Sequence, residues 1–458
     1  MQRILAITRL TWKAAFRFRL FWVLLGLLLA SVVVLPLLLK DDGTARGFIQ
    51  IMLTYTLSVI TALLGFSTLW LACGTLARDI EDCQIQVVVV KPVARWEVWV
   101  GKWLGIMLLN ATLLAVSGTC VFGLLKWRAS QLEPRQQQIL REEIFVSRGS
   151  LREPMPDIDA DVQRLVQRAP NREKMTPEEL LQTQQMLKER VTAMQQVVPP
   201  NYQRVWNLDL GLKKHLLSDQ PLFMRVKFHV AQTNASGTYL GIWTVGPTNS
   251  PLGRSLPQSL AASTIHEIRL PPGLIDQNGI LTVIFENRNP MELIFPLEDG
   301  FEVLYREGTF GLNFARGLAI ILCWLAALAA LGLAASSLMS FPVAAFFSFS
   351  LLVMALSSGT LSSVVQEGTV MGVNHETGEG GGTLIDKVML PFFKLMLSVV
   401  KLAQDFSPVD ALSTGRSITW GQLAQAIGQI VILLGGMFAA AGIYFFNRRE
   451  LATAQGQH

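Results

Sequence analysis

Five long apolar stretches of the chain carry no Lys, Arg, Asp or Glu: residues 20–39 (20 residues), 47–77 (31), 103–125 (23), 317–366 (50) and 417–447 (31). A helix needs about 20 apolar residues to cross a bilayer, so the four shorter runs each predict one span and the longest predicts two. The cluster Ser336, Ser337, Ser340 and Pro342 marks the turn inside the long run, because proline has no N–H for the helical ladder. Six spans follow: one to three within 20–126, four and five within 311–366, and the sixth at 417–447.

Between spans three and four lies an insert, residues 127–310, whose pattern changes halfway. Its first part, 127–200, reads as a helical arm. Thr176-Pro177-Glu178-Glu179 supplies an N-cap, a first-turn proline and a capping-box glutamate. Leu180, Leu187, Val191, Met194 and Val198 recur at helical intervals until Pro199-Pro200 stops the run, and with the Gln- and Arg-rich stretch 131–148 this suggests a helical hairpin or a short coiled-coil arm. From 201 to 310 the period becomes two. Met224, Val226, Phe228 and Val230 alternate with polar residues, as do Leu281, Val283 and Phe285, and Phe301, Val303 and Tyr305. This predicts an antiparallel β-sandwich running from near Trp206 to near Phe310. Trp206 and Trp243 read as its core, with an exposed stacking platform as the alternative.

Flanking charge sets the expected orientation. Arg3, Arg9, Lys13, Arg17 and Arg19 precede the first run with no acidic residue among them, which places residues 1–19 in the cytoplasm. The run that follows is longer than the apolar core of a signal peptide and is read as a retained span. Six crossings bring the tail 448–458, with Arg448 and Arg449, back to the same side. The same parity puts loop 77–102 inside and sends the insert, together with a smaller segment at 367–416, outside. Arg9, Lys13 and Arg17 form one stripe of the N-terminal stretch, opposite Ile4, Ile7, Thr11, Ala14, Ala15 and Phe18, so an interfacial amphipathic helix is expected there.

Composition agrees. Of the 458 residues, 51% are hydrophobic and 16% charged, against about 25% charged in soluble domains. The segment 128–316 holds 21 basic and 21 acidic residues, so the net charge of +5 belongs to the membrane part and gives no reason to invoke nucleic acid. The cysteines, Cys73, Cys83, Cys120 and Cys323, lie in or beside apolar stretches and form no CxxC pair. No GxxxxGK[ST] loop, His-Glu-x-x-His or Gly-x-Ser-x-Gly occurs, which argues against nucleotide binding by this chain and against zinc-protease or serine-hydrolase chemistry. Gly378-Glu-Gly-Gly-Gly382 reads as a flexible turn. Asn234-Ala-Ser236 matches a glycosylation acceptor, which matters only in a secretory-pathway protein. The spans contain no ionisable residue, which disfavours an ion-coupled transporter.

Three short segments carry a resemblance: Ala77-Arg-Asp-Ile-Glu-Asp82; Val89-Val-Lys-Pro-Val-Ala-Arg95 with Val100-Gly-Lys-Trp-Leu-Gly105; and Tyr444-Phe-Phe-Asn-Arg-Arg-Glu-Leu451. With their order and placement among six spans, the chain resembles the permease subunit of type-two ATP-binding-cassette exporters, in the branch associated with multicopper-enzyme maturation and gliding motility. The resemblance covers the first 125 residues and the last span, and leaves the insert unexplained. It implies a bacterial cytoplasmic-membrane protein without enzymatic activity or cofactor of its own, ATP and magnesium residing in a separate ATPase subunit, and a second permease copy completing the assembly. It further implies a coupling helix in which Arg78, Asp79, Glu81, Asp82 and Gln84 meet the ATPase while Lys91 and Pro92 fix the turn. Arg9, Trp12, Lys13, Phe16 and Arg17 would form a connecting helix, and Val388 to Leu402 a re-entrant one. The expected function is ATP-driven export of an amphipathic or lipidic substrate, or mechanical action on an extracytoplasmic partner. The alternative is a membrane-anchored scaffold whose sandwich binds glycan or protein without ATP; a membrane enzyme ranks third.

Overall fold

The computed structural model describes residues 2–449 apart from 18–19, 39–44, 83, 85–92, 141–144, 168–176, 212–216, 218–219, 232–235, 247–253, 277, 368–383 and 405. Lys91, Pro92 and the Gly378–Gly382 turn therefore lie outside the described residues. The chain forms two compact units, Met1–Ser147 with Gly308–His458 and Arg148–Glu307.

The first unit begins with helices α1 (Gln2–Arg17), α2 (Leu20–Leu38), α3 (Ala45–Glu81), α4 (Arg95–Ser130) and α5 (Pro134–Ile139). Strand β1 (Val146–Leu151), helices α6 (Ile158–Gln167) and α7 (Pro177–Gln196), and ten further strands follow. The chain ends with α8 (Phe310–Leu338), α9 (Phe341–Leu356), α10 (Ser358–Glu367), α11 (Leu384–Gln404), α12 (Pro408–Ser413), α13 (Trp420–Ala426), a π-helical segment (Ile427–Gly435) and α14 (Gly436–Arg448).

Four helices are long and apolar enough to cross a membrane alone: Ile49–Glu81, Arg95–Ser130, Phe310–Leu338 and Trp420–Arg448. Two bent pairs, α1 with α2 at 67° and α9 with α10 at 70°, raise the number to six if each is one span. This is a membrane-embedded protein. The expected fifth span is thus broken. Ser357 and Ser358-Gly359 are weak helix formers, and the Ser357 hydroxyl donates to Val353 O at 3.0 Å, a local bond that competes with helical continuation. Helix α4 begins well before its charge-free run because Glu97 accepts the Ala94 N–H at 2.9 Å and caps the helix there. The stretch expected to be re-entrant is part of the continuous helix α11, with Pro391 inside it.

Lipid offers helices no hydrophobic reason to associate, so they pack where small residues let backbones approach. Helix α8 is the hub, touching α3, α4, α9, α12, the π-helical segment and α14. A Cβ on Gly332 would lie 2.7 Å from Ala72 Cβ of α3, one on Gly118 of α4 would lie 2.5 Å from Leu318 Cδ1, and one on Gly442 of α14 would lie 2.9 Å from Ala334 Cα.

Polar side chains tie α8 to the last span at both ends. Asn313 Nδ2 donates to Arg416 O at 2.7 Å and Asn313 Oδ1 accepts the Ile418 N–H at 2.7 Å. Arg316 Nη1 donates to Ile418 O at 2.5 Å, and its guanidinium lies 4.7 Å from the Trp420 ring centre. At the far end Arg449 Nη1 donates to Ser336 O and Ser337 O, each at 3.2 Å. The two helices therefore run in the same direction.

In the second unit, a sheet in the order β1-β11-β4-β8 shares one core with a sheet in the order β3-β9-β6-β7. These strands are β11 (Phe301–Thr309), β4 (Leu222–Val226), β8 (His266–Leu270), β3 (Gln203–Asp209), β9 (Ile280–Asn287), β6 (Thr238–Val245) and β7 (Arg254–Ala261). The pairings of β11 with β4, β4 with β8, β3 with β9, β9 with β6 and β6 with β7 are antiparallel, as alternation predicts. The stretch 224–230 is not one strand: it breaks after Val226, and His229–Val230 (β5) joins a separate three-stranded sheet with β2 (Val197–Val198) and β10 (Leu293–Ile294). Helix α7 packs on α6, and the described part of 131–148 forms α5 and the start of β1.

Trp206 and Trp243 are both buried, stacked at 6.0 Å among Phe285, Phe295 and Phe301. Burial also draws the Arg204 pKa below the ordinary arginine value, against the opposing charge of Glu153, as the guanidinium lies 4.9 Å from the Trp206 ring centre. The first five residues of β11 are buried on both faces, and the carboxylate among them is satisfied. Glu302 accepts from Ser150 Oγ at 2.7 Å, from Arg152 Nη2 at 2.9 Å and from Arg225 Nη1 at 3.4 Å.

Removing Glu302 takes a shared, buried acceptor from the partly buried Arg225 and from Arg152 and Ser150. Glu302→Ala is expected to lower stability by about 3 kcal/mol, whereas Arg164→Ala, which breaks an exposed pair with Asp161, changes it by less than about 0.5 kcal/mol. Denaturant unfolding of the detergent-solubilised chain, followed by tryptophan emission, measures both.

Candidate functional site

One end of the helical unit gathers most of the residues singled out in the sequence. Helix α1 does not stand apart there. Its inner stripe Ile4, Ile7, Thr8, Thr11 and Ala15 is seated on α4 across Gly101 and Gly105, where a Cβ would fall 2.8 Å from Ile7 Cβ and 2.6 Å from Thr11 Cβ. Four-residue spacing of glycines puts both on one face and opens a groove for the crossing backbone. Thr8 Oγ1 lies 3.2 Å from Gly101 O, and Arg3 sits 3.8 Å from Glu97. Trp12 and Phe16 pack edge to face at 4.9 Å, and Phe16 meets Phe21 of α2 at 4.2 Å, so these two residues belong to the bundle core. Arg9, Lys13 and Arg17 face outward, interleaved with Leu5 and Leu10, which are 64% and 67% exposed.

The end of α3 is anchored side chain by side chain. Arg78 holds its guanidinium 4.6 Å from the Phe341 ring centre. Asp79 Oδ2 accepts from Lys102 Nζ at 2.5 Å, and the same ammonium donates to Thr75 O at 2.8 Å. Lys102 is 7% exposed, so its charge requires this partner. Glu81 Oε1 accepts the Phe341 N–H at 3.0 Å, a carboxylate at the positive end of α9. Beyond these, Asp82 and Gln84 are exposed.

The neighbouring helix ends are capped from afar. Arg95 Nη1 donates to Phe446 O, Asn447 O and Arg449 O at 2.8, 2.9 and 2.9 Å, occupying carbonyls that α14 cannot satisfy itself. Arg449 does the same for α8, and Arg448 lies over Tyr444 at 4.6 Å.

The arrangement brings Arg78, Asp79 and Glu81 together with Lys102 and Phe341, and leaves Asp82 and Gln84 at its edge. Lys102, Arg95, Phe341 and Arg449 escaped the sequence reading as partners. Only the Gly101-x-x-x-Gly105 spacing, on which Lys102 sits, offered a local signal. Among the described residues no three His, Cys, Asp or Glu side chains come together as a metal site, and nothing in the cluster forms a nucleophile with a base. Its contacts are ion pairs, helix caps and cation–ring contacts. Comparison with protein-family models, with curated proteins and with solved structures finds no match.

If the two glycines seat α1, Gly105→Val forces it off α4. Hydrogen exchange across residues 2–17 is then expected to rise by about tenfold or more while exchange in α8 stays unchanged; equal exchange in α1 would show that the seat does not hold it.

Proposed function

We propose that this chain is the membrane permease subunit of an ATP-binding-cassette transporter. A separate ATPase subunit supplies the ATP chemistry with magnesium, and two permeases operate with two ATPases in a bacterial cytoplasmic membrane. The observation that carries the reading is the anchored tip of α3. An exposed acidic turn, Asp82 with Gln84, continues a helix locked to α4 through Asp79 and Lys102 and to α9 through Arg78 and Glu81. A push on that turn reaches three helices without passing through a flexible joint. The outward face of α1, with Arg9, Lys13, Leu5 and Leu10, offers a second contact on the same end of the bundle.

Contacts among helix ends support six crossings, with both termini and the acidic turn in the cytoplasm. Helix α8 and the last span run in parallel, so the chain must return across the bilayer between them, which favours counting bent α9–α10 as one span. Helix α1 sits at the start of α4, where α3 ends, so α2 must cross to reach the start of α3. The insert between α4 and α8 then lies outside.

In this mechanism ATP binding closes the paired ATPases, the acidic turns and α1 helices move with them, and the permeases shift across their common interface. The nearly charge-free spans suit an amphipathic or lipidic cargo, or transmission of the motion to the insert and through it to an extracytoplasmic partner. With Trp206 and Trp243 buried, the stacking platform that a glycan-binding scaffold would use is not offered by these two rings.

The full-length chain, co-expressed with the ATPase of its source cell and purified in detergent, tests the coupling turn. Asp82→Arg with Gln84→Arg is expected to reduce co-purifying ATPase by about tenfold or more with no change in unfolding midpoint, while Asp79→Ala lowers the midpoint as well. Undiminished ATPase association in the double variant would remove the turn from the interface.

A further inference from the structure

At the opposite end of the same unit, where α4 finishes and α8 begins, a cavity of about 600 Å³ opens. Its wall is aromatic and aliphatic: Phe122, Leu140, Phe145 and Phe310 line it, with Phe122 and Phe310 stacked at 6.1 Å and Phe145 edge-on to Phe310 at 5.7 Å. One charged residue lines it, Lys126, whose ammonium lies 4.8 Å from the Phe122 ring centre and pairs with no carboxylate among the described residues. Gly311, in the first turn of α8, lines it too, and the Thr309 hydroxyl makes no cap there. Gln137 also lines it, donating to Ser130 O and Leu132 O at 3.2 and 2.8 Å.

Depth selects the occupant. The charge-free run before Lys126 spans 23 residues, about 34 Å of helix at 1.5 Å per residue, against a hydrocarbon core of about 30 Å. Lys126 is thus the first charge beyond the hydrocarbon, at the level of lipid headgroups, and the Phe wall extends beside it. A free anion has no use for four large apolar side chains, and an apolar molecule has none for an unpaired ammonium. We infer that the cavity holds the phosphate-bearing end of an anionic bilayer lipid, with the phosphate on Lys126 and the first N–H groups of α8, and the adjoining acyl portion against Phe122, Phe145 and Phe310. This assignment stands apart from ATPase coupling, since it concerns the isolated chain.

Native mass spectrometry of the delipidated full-length protein tests it with three probes: phosphatidylglycerol, phosphatidylcholine of the same chains, and inorganic phosphate. The wild type is expected to retain phosphatidylglycerol about tenfold better than phosphatidylcholine. Lys126→Gln brings the two to the same level, Lys126→Arg restores the preference, and Leu140→Trp, which fills the cavity, lowers both about tenfold. Lys126 is exposed, so its variants keep the fold, as circular dichroism checks, and the result does not hang on Leu140→Trp folding. Equal retention of phosphatidylglycerol by wild type and Lys126→Gln overturns the proposal. So does its displacement by millimolar inorganic phosphate, which would leave an anion site without a lipid.

Discussion

The parallel contact between α8 and the last span governs the helical unit. Two helices running the same way in lipid are held neither by hydrophobic burial nor by a short connecting turn, and their dipoles lie side by side with like ends adjacent. The chain answers each difficulty with a different residue type. Gly442 against Ala334 brings the backbones close enough for dispersion contacts to accumulate. Asn313 and Arg316 fasten the two starts through backbone groups at 416–418. At the two negative ends Arg449 covers the carbonyls of α8 and Arg95 those of α14.

That use of charge changes how the ionisable residues at this end are understood. Read along the sequence, Arg78, Asp79, Glu81, Asp82 and Gln84 form one docking strip. In three dimensions the first three are occupied within the bundle: a cation over an aromatic ring, one member of a partly buried ion pair, and a helix cap. A side chain cannot spend its strongest interaction twice. Under the permease reading the partner meets Asp82, Gln84 and the outer face of α1, while Arg78, Asp79 and Glu81 pass the load inward.

Much of this architecture was legible because its signals are local. A run without charge marks a span, and alternation around Trp206, Leu281 and Phe301 marks strands that the antiparallel pairings realise. What escaped depends on residues far apart in the chain. Arg95 reaches a carbonyl 351 residues away, and Lys102, which looks like an ordinary basic flank, becomes a buried partner only when α3 folds back beside α4. The bend at Ser357 escaped for a different reason: apolar composition reports that a segment suits lipid, not that its helix is straight. Likewise Met224 to Val230 alternates throughout, yet period two does not say which sheet each half will join.

The two ends of the bundle differ in one cation. At the α3 tip nearly every cation is committed: Arg78 to a ring, Arg95 and Arg449 to carbonyls, Lys102 to a carboxylate. At the other end Arg316 is committed in the same way, to Ile418 O and the Trp420 ring, but Lys126 rests against Phe122 beside an open cavity and an uncapped helix start. Committed charges make an end stiff, because moving it breaks several contacts together; a cation that meets only a ring at the mouth of a cavity leaves that end receptive. A stiff end suits the transmission of force, and a receptive end at headgroup depth suits a lipid. If both assignments hold, α4 links them, since it carries Arg95 and Lys102 at its start and Phe122 and Lys126 at its finish. A shift of α4 imposed at the anchored tip would then alter the lipid cavity without a flexible element between them.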